Sequence, residues 1–153
     1  LLGSRGLGDV YKRQVLTDGE DGVIVCFGSL LENCLQAARR LEEEAGLKIG
    51  VVNARFAKPI DDALLKMLID EKPFLVTVEE GNLMGGFGTA VLEAANTMGL
   101  STENIHRLGL PDAFVEHGER GELLADLGLD VDGIAKRCQK LAETRVTGTT
   151  TEV

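Results

Sequence analysis

The sequence has few aromatic residues and few basic ones. Its 153 residues include no tryptophan, one tyrosine and five phenylalanines, and 25 Asp and Glu outnumber 16 Lys and Arg, which gives a net charge of −9. A nucleic-acid or anionic-membrane surface needs a basic patch that displaces counterions. The charge balance therefore argues against both partners. No apolar run approaches the roughly 20 residues of a membrane-spanning helix.

Cysteine and histidine are also scarce. The three cysteines, Cys26, Cys34 and Cys138, are odd in number and form no CxxC pair. A disulfide framework is therefore not expected. We expect instead that the thiols are reduced and buried, as in a cytoplasmic protein. The two histidines, His106 and His117, stand apart from any Cys or His cluster, so the sequence gives no support for a zinc site.

The two ends of the chain differ from the rest. Residues 1–14 (LLGSRGLGDVYKRQ) show neither strand alternation nor a helical stripe. We interpret them as a non-native cloning or sequencing leader, with a natural linker as the alternative. Residues 146–153 are polar and β-branched, which predicts a flexible tail. Residues 15–145 are left as the predicted domain, a length that suits a single domain.

Between these ends, strand and helix patterns alternate. Short apolar runs predict strands at residues 23–27, 49–53, 74–78 and 104–108, with residues 15–17 as a further edge strand. Apolar stripes at helical spacing predict helices between the strands and, after them, at residues 119–127 and 130–143. Such alternation predicts a three-layer α/β/α fold with a mostly parallel sheet.

In an open α/β sheet, ligands favour the carboxyl ends of the strands. Arg55 and Lys58 bracket a turn after the strand at residues 49–53, where two cations can grip a phosphate or a carboxylate. The favoured alternative is a surface turn whose cations pair with neighbouring carboxylates or with another domain.

Two further candidates follow the strand at residues 74–78. Glu79 and Glu80 suggest an acid/base pair, but neighbours on an extended chain point to opposite faces, so a structural or interdomain role is favoured. Gly85, Gly86 and Gly88 precede a predicted helix, whose free N–H groups can bind a phosphate. The specific fingerprints fail in this stretch, so close backbone packing is the favoured reason for the glycines.

His117 lies beside Glu116, but no nucleophile is adjacent in the sequence that would give a general base something to activate. On the residues alone, the chain is an acidic α/β domain without a self-contained catalytic site.

Three stretches in order carry a family resemblance. They are residues 51–60 (VVNARFAKPI), 76–91 (VTVEEGNLMGGFGTAV) and 108–118 (LGLPDAFVEHG). Together they resemble the C-terminal, transketolase-like domain of the 1-deoxy-D-xylulose-5-phosphate synthases. The first two stretches suit the wider transketolase family, and the LPDxFxEHG stretch narrows the choice. The similarity runs from about residue 15 to residue 143.

The resemblance implies a full enzyme that condenses pyruvate with glyceraldehyde 3-phosphate, releases CO₂ and feeds isoprenoid and thiamine biosynthesis. Thiamine diphosphate and Mg²⁺ would be held by the N-terminal and middle domains, which are missing here, in a homodimer. It also implies a five-stranded mixed sheet with one antiparallel strand, either residues 15–17 or residues 23–27.

No catalytic, cofactor-binding or metal-binding residue is carried over to this chain from the family. The GDG…N motif that holds the metal is absent, since residues 19–22 read GEDG. The residues that match family motif positions are instead assigned to interdomain contacts and fold: Arg55, Lys58, Glu79, Glu80 and His117. The fragment alone is therefore expected to be inactive and to bind no thiamine diphosphate.

Two alternatives stay open. One is the C-terminal domain of another transketolase-family enzyme, such as a 2-oxoacid dehydrogenase β subunit. The other is a stand-alone α/β module that binds an anion through Arg55 and the glycine loop. A domain that has lost its neighbours should also expose an apolar patch, for which Leu83, Met84 and Phe87 are the candidates.

Overall fold

The computed structural model describes residues 15–55, 61–112 and 118–148. These residues form five strands: β1 (Val15–Thr17), β2 (Gly22–Phe27), β3 (Ile49–Asn53), β4 (Leu75–Asn82) and β5 (Ile105–Leu110). They also form five helices: α1 (Leu31–Ala45), α2 (Asp62–Glu71), α3 (Phe87–Thr97), α4 (Arg120–Asp126) and α5 (Val131–Gly148).

The five strands form one sheet in the order β1-β3-β2-β4-β5. Strand β1 runs antiparallel to β3, and the other neighbours are parallel. The predicted mostly parallel α/β fold is confirmed, and residues 15–17 are the antiparallel strand. From β2 the chain crosses to β3 on one side and then returns to β4 on the other. The topological switch point therefore lies between the carboxyl ends of β2 and β4.

The apolar core has two parts, one on each face of the sheet. Helices α1, α4 and α5 cover one face, where Ile24 and Cys26 of β2 are buried. Helices α2 and α3 cover the other face, where Val23 and Val25 of the same strand are buried. Because successive residues point to opposite faces, a strand covered on both sides needs a continuous apolar run, and β2 has one.

The predicted ends of two helices are present. Gly46 ends α1 in the left-handed conformation, with φ +65°, which a glycine adopts without steric penalty. Asp61 begins α2, and its Oδ1 accepts a hydrogen bond from the backbone N–H of Leu64 at 2.9 Å. Both ends therefore follow from residues beside them in the sequence.

Three predicted boundaries were wrong. Strand β5 ends at Leu110, two residues beyond its predicted end. Strand β4 continues through Glu79 and Glu80 to Asn82, because it stays paired with β5, whose last residue pairs with Asn82. Helix α5 continues to Gly148, into residues expected to belong to a flexible tail. The hydroxyl of Thr144 donates back to the carbonyl of Lys140, so this hydroxyl is bonded within the helix. Residues 1–14 and 149–153 lie outside the described residues.

No helix in the described ranges is long and apolar enough to cross a membrane. The three cysteines are free and buried in the core, as expected.

Candidate functional site

The switch point is where an open α/β sheet offers a crevice to a ligand. Strand β2 ends there at Phe27 and is followed by Gly28 and Ser29. Strand β4 brings Glu79 and Glu80 to the same edge, and Phe27 is the register partner of Glu79. The two candidate carboxylates therefore flank the crevice.

Glu79 points into the protein, with only 3% of its surface exposed. Its carboxylate accepts hydrogen bonds from the backbone N–H groups of Phe87, at 2.6 Å, and Gly88, at 3.1 Å. These N–H groups belong to the first turn of α3, which has no partners for them within the helix. The N-cap residue Gly86 has no side chain to bond them. Glu79 therefore caps α3 from the neighbouring strand.

The glycines of the loop fit closely around this carboxylate. A Cβ atom on Gly86 would lie 2.1 Å from the carbonyl oxygen of Asn82 and 2.6 Å from Oε2 of Glu79. A Cβ atom on Gly88 would lie 2.7 Å from Oγ1 of Thr77. Close packing, the favoured reason for the loop glycines, is present at Gly86 and Gly88. It is absent at Gly85, which instead has φ +73° and no atom within 4 Å of a Cβ position. An anion reaching this helix end would have to displace the Glu79 carboxylate from both N–H groups.

Glu80 points the other way, as the alternation along a strand requires. Its carboxylate accepts two hydrogen bonds from the guanidinium of Arg120, at 2.9 and 2.6 Å, and a third from the hydroxyl of Ser29. These bonds, chiefly those from Arg120, lower the pKa of Glu80 below its ordinary value. A paired carboxylate of this kind stays ionised and joins α4 to the edge of the sheet.

A second arginine braces the loop between β4 and α3. Nη1 of Arg107 donates to the carbonyl of Leu83 and to the hydroxyl of Thr89, both at 3.0 Å. The Thr89 hydroxyl also donates to the Leu83 carbonyl, at 2.6 Å. The loop is therefore tied to both β5 and α3. Sequence reasoning missed Arg107 and Arg120, because their partners are 24 and 40 residues away and no local pattern marks such pairs.

An open concavity of about 500 Å³ lies beside this loop. The stacked rings of Phe27 and Phe87, with centroids 5.2 Å apart, form part of its wall. Met84 at the rim is 67% exposed, whereas Phe87 is only 4% exposed. Of the three residues predicted to form an exposed apolar patch, Met84 is exposed and Leu83 is half-buried. The expectation of an exposed Phe87 was wrong, because its side chain packs under α3 in the core.

Of the remaining candidates, Arg55 alone lies within the described residues. Arg55 is exposed just after β3. Lys58 and His117 lie outside the described residues, so the predicted pairing of Arg55 with Lys58 stays a prediction. No three or more His, Cys, Asp and Glu side chains within residues 15–55, 61–112 and 118–148 form a group that could hold a metal ion.

Comparison with known proteins places this arrangement in a family. Residues 12–134 match the family described as the transketolase C-terminal domain. Curated relatives named 1-deoxy-D-xylulose-5-phosphate synthase include one from Rhodopirellula baltica, 46% identical over 88% of this chain. Another, from Synechococcus, is 47% identical over 90% of this chain. The chain spans 21% of the length of each.

Solved structures of transketolases superpose on this chain. A split-gene transketolase, described as an inactive β4 tetramer, superposes with a TM-score of 0.74 at 32% identity, over 84% of this chain and 41% of its own. A transketolase from Pichia stipitis gives 0.60 at 24% identity, over 87% of this chain and 18% of its own, and supports the fold alone. With its mixed five-stranded sheet and the match over residues 12–134, the chain belongs to the transketolase C-terminal domain family.

Proposed function

We propose that this domain is the C-terminal part of a 1-deoxy-D-xylulose-5-phosphate synthase. That enzyme is a thiamine-diphosphate-dependent transferase, which condenses pyruvate with glyceraldehyde 3-phosphate and releases CO₂ at the start of isoprenoid biosynthesis. The observation that carries the proposal is the identity of 46% and 47% to relatives of that name, over 88% and 90% of this chain. The same identity favours this synthase over a 2-oxoacid dehydrogenase β subunit.

The glycine loop, which was the candidate anion site, does not fit the diphosphate of the cofactor. A diphosphate favours a free helix N-terminus, but the first N–H groups of α3 are bonded to Glu79. Magnesium favours carboxylate and other oxygen ligands, and the described ranges contain no suitable group of three. We therefore assign thiamine diphosphate and Mg²⁺ to the N-terminal and middle domains of the full enzyme and derive no step through them here.

The role of this domain is then to pack against those domains and to support the homodimer. Two features support that role. The ion pair between Arg120 and Glu80 neutralises charge at the crevice, and Met84 is exposed beside it.

Three buried, free thiols suit a cytoplasmic location.

A graft tests the proposal. Residues 15–148 would replace the corresponding segment of the Rhodopirellula baltica relative, and CO₂ release that depends on both pyruvate and glyceraldehyde 3-phosphate would be measured. We expect the graft to be active and the same relative without its C-terminal segment to be inactive.

A folded, dimeric graft without activity would contradict the assignment. Activity of the same segment in a 2-oxoacid dehydrogenase β subunit, but not in the synthase, would support the alternative. Titration of thiamine diphosphate into the isolated chain in a calorimeter checks the cofactor assignment. Micromolar binding there would contradict it.

A further inference from the structure

We propose that the concavity beside the glycine loop is the surface on which the adjoining domain of the synthase docks, by inserting an uncharged apolar side chain. This inference rests on the proposed function. The surface, called the Met84 pocket below, has apolar side chains from Phe27, Met84, Phe87 and Ala90. Its lining also includes Glu79, Asn82 and the three glycines Gly81, Gly85 and Gly86.

The exposure of Met84 is the first observation. In the described part of the chain, the exposed large apolar side chains are Leu16, Met84 and Val146, and Met84 lines this concavity. A methionine at 67% exposure leaves a flexible thioether in water. Methionine adapts its shape to a partner and is common on binding surfaces. The exposed side chain and the open concavity thus form one continuous apolar surface.

The pocket is also held in place before anything binds. Arg107 and Thr89 fix the carbonyl of Leu83, and the carboxamide oxygen of Asn82 accepts a hydrogen bond from the N–H of Met84 at 3.0 Å. Glu79 fixes the start of α3 from below. A contact surface that is already ordered loses little conformational entropy when a partner docks. The bracing therefore favours a docking role over a loop that orders only on binding.

The charges around the pocket determine what it can accept. The Glu79 carboxylate belongs to the lining, but both of its bonds to α3 are made. Glu80 is paired with Arg120. The two N–H groups and the positive N-terminal end of α3 offset the charge of Glu79, and Arg120 offsets that of Glu80, so the pocket strongly favours neither a cation nor an anion. Gly85 in the lining leaves open space where a side chain would lie, so a partner chain can approach closely there. An aliphatic or aromatic side chain fits best.

The adjoining domain is the occupant because the curated relatives extend well beyond this chain. The Rhodopirellula baltica relative has about four-fifths of its length outside the match. A neighbouring domain with an apolar surface would cover Met84 within the full-length enzyme. A second copy of this chain is the competing occupant, and the experiments below distinguish the two.

Methionine oxidation tests the proposal directly. Hydrogen peroxide transfers one oxygen atom to a methionine thioether and leaves as water, at a rate set by exposure. The Met84 rate would be measured by mass spectrometry in the 153-residue chain and in the graft. We expect it to fall about tenfold or more in the graft, whereas the half-buried Met67 and Met98 serve as internal references.

The outcomes separate the two proposals. An active graft whose Met84 reacts as fast as in the isolated chain overturns the docking surface and leaves the proposed function standing. An inactive graft with a protected Met84 supports the docking surface and contradicts the proposed function. If Met84 is already protected in the isolated chain, in proportion to a dimer seen by sedimentation, a second copy is the occupant and the inference is wrong.

A matched pair of variants provides the second test. Met84→Asp places a charge on the pocket, and Leu16→Asp places one on β1, where another exposed apolar residue lies. Both would be titrated against the separately expressed N-terminal four-fifths of the Rhodopirellula baltica relative. We expect affinity to fall about tenfold or more for Met84→Asp and to stay unchanged for Leu16→Asp. Equal affinities for the two variants, or no binding by the unaltered chain, would overturn the inference.

Discussion

Helices α2 and α3 begin in the same way but with caps from different places. Asp61 stands at the N-cap of α2 and bonds the N–H of Leu64, three residues on. Glu79 lies in β4 and bonds the N–H groups of Phe87 and Gly88, eight and nine residues on. Both carboxylates satisfy the N–H groups that a helix leaves open. The Asp61 cap is local and can be recognised in the sequence. The Glu79 cap depends on the fold, because the loop after β4 must bring α3 back to the strand.

The two caps also differ in their access to water. Asp61 is half-buried, so water can replace its carboxylate at the end of α2. Glu79 is 3% exposed and enclosed by glycine backbone, so water cannot easily replace it at the end of α3. A buried donor left without a partner lowers stability by its full desolvation penalty, whereas an exposed donor can bond water and lowers stability much less. The comparison therefore predicts unequal penalties for removing the two caps.

The largest effect should come from Glu79→Ala. It leaves two buried N–H groups unpaired and opens a cavity among the glycines, so we expect the free energy of unfolding to fall by about 3 kcal/mol. Urea denaturation measures it, and adding acetate should recover part of the loss by filling the same position. Glu80→Ala is the control, because Glu80 is the next residue but its side chain points to the opposite face of the sheet. Equal losses for the two variants would show that the carboxylate does not cap α3.

Next comes a pair of glycine variants that tests how closely the loop encloses the Glu79 cap. Gly86→Ala brings a Cβ atom within 2.1 Å of the Asn82 carbonyl oxygen, so backbone must shift, and we expect a loss of about 2 kcal/mol. Gly85→Ala meets no atom within 4 Å but must adopt φ +73°, which costs about 1 kcal/mol. Thermal unfolding of both variants checks the order. A more damaging Gly85→Ala would mean that the loop is not closely packed.

Asp61→Ala should have a smaller effect. Removing an N-cap aspartate typically lowers stability by about 1 kcal/mol, and the position is open enough for water to compensate. Asp61→Asn and Asp61→Ser keep an acceptor oxygen and should restore most of the stability in the same urea titration. If they fail to do so while Asp61→Ala matches the loss from Glu79→Ala, the contrast between local and distant caps would not hold.

Glu80→Gln should have the smallest effect and a characteristic pH dependence. Hydrogen bonds from Arg120 and Ser29 lower the pKa of Glu80 in the folded protein below its ordinary 4.5. The ionised pair therefore adds stability at neutral pH, which is lost as the pH falls through the folded-state pKa. The difference between wild type and Glu80→Gln should be present at neutral pH, shrink with added salt because the pair is exposed, and vanish well below pH 4.5. A difference that grew in acid would contradict the pairing.

Local patterns predicted much of the fold. The stripe that begins at Leu31 and the glycine at position 46 set the ends of α1, and residues 49–53 coincide with β3. In each case the signal lies within the element itself, as spacing, a cap or a continuous apolar run. The alternation of elements predicted the sheet, since parallel strands need helical crossovers.

The site was harder to predict, because its contacts join distant parts of the chain. The sequence indicated that Glu79 and Glu80 face opposite ways, but it contained no sign that Glu79 bonds α3. Arg107 bonds the carbonyl of Leu83, 24 residues away, and Arg120 bonds Glu80, 40 residues away, so neither contact left a spacing pattern. The same reason explains the error at Phe87 of α3, whose ring stacks on the ring of Phe27 at the end of β2, 60 residues earlier in the chain.

The buried cysteines make the opening of this domain measurable without any added label. Cys26 lies on β2, Cys34 on α1 and Cys138 on α5, and each is fully buried. Burial raises the pKa of Cys138 to about 12, so both access and ionisation keep this thiol unreactive while the fold is closed. Reaction with a thiol reagent must then wait for local or global opening. The order in which the three sites react would report whether α5 detaches before the sheet separates.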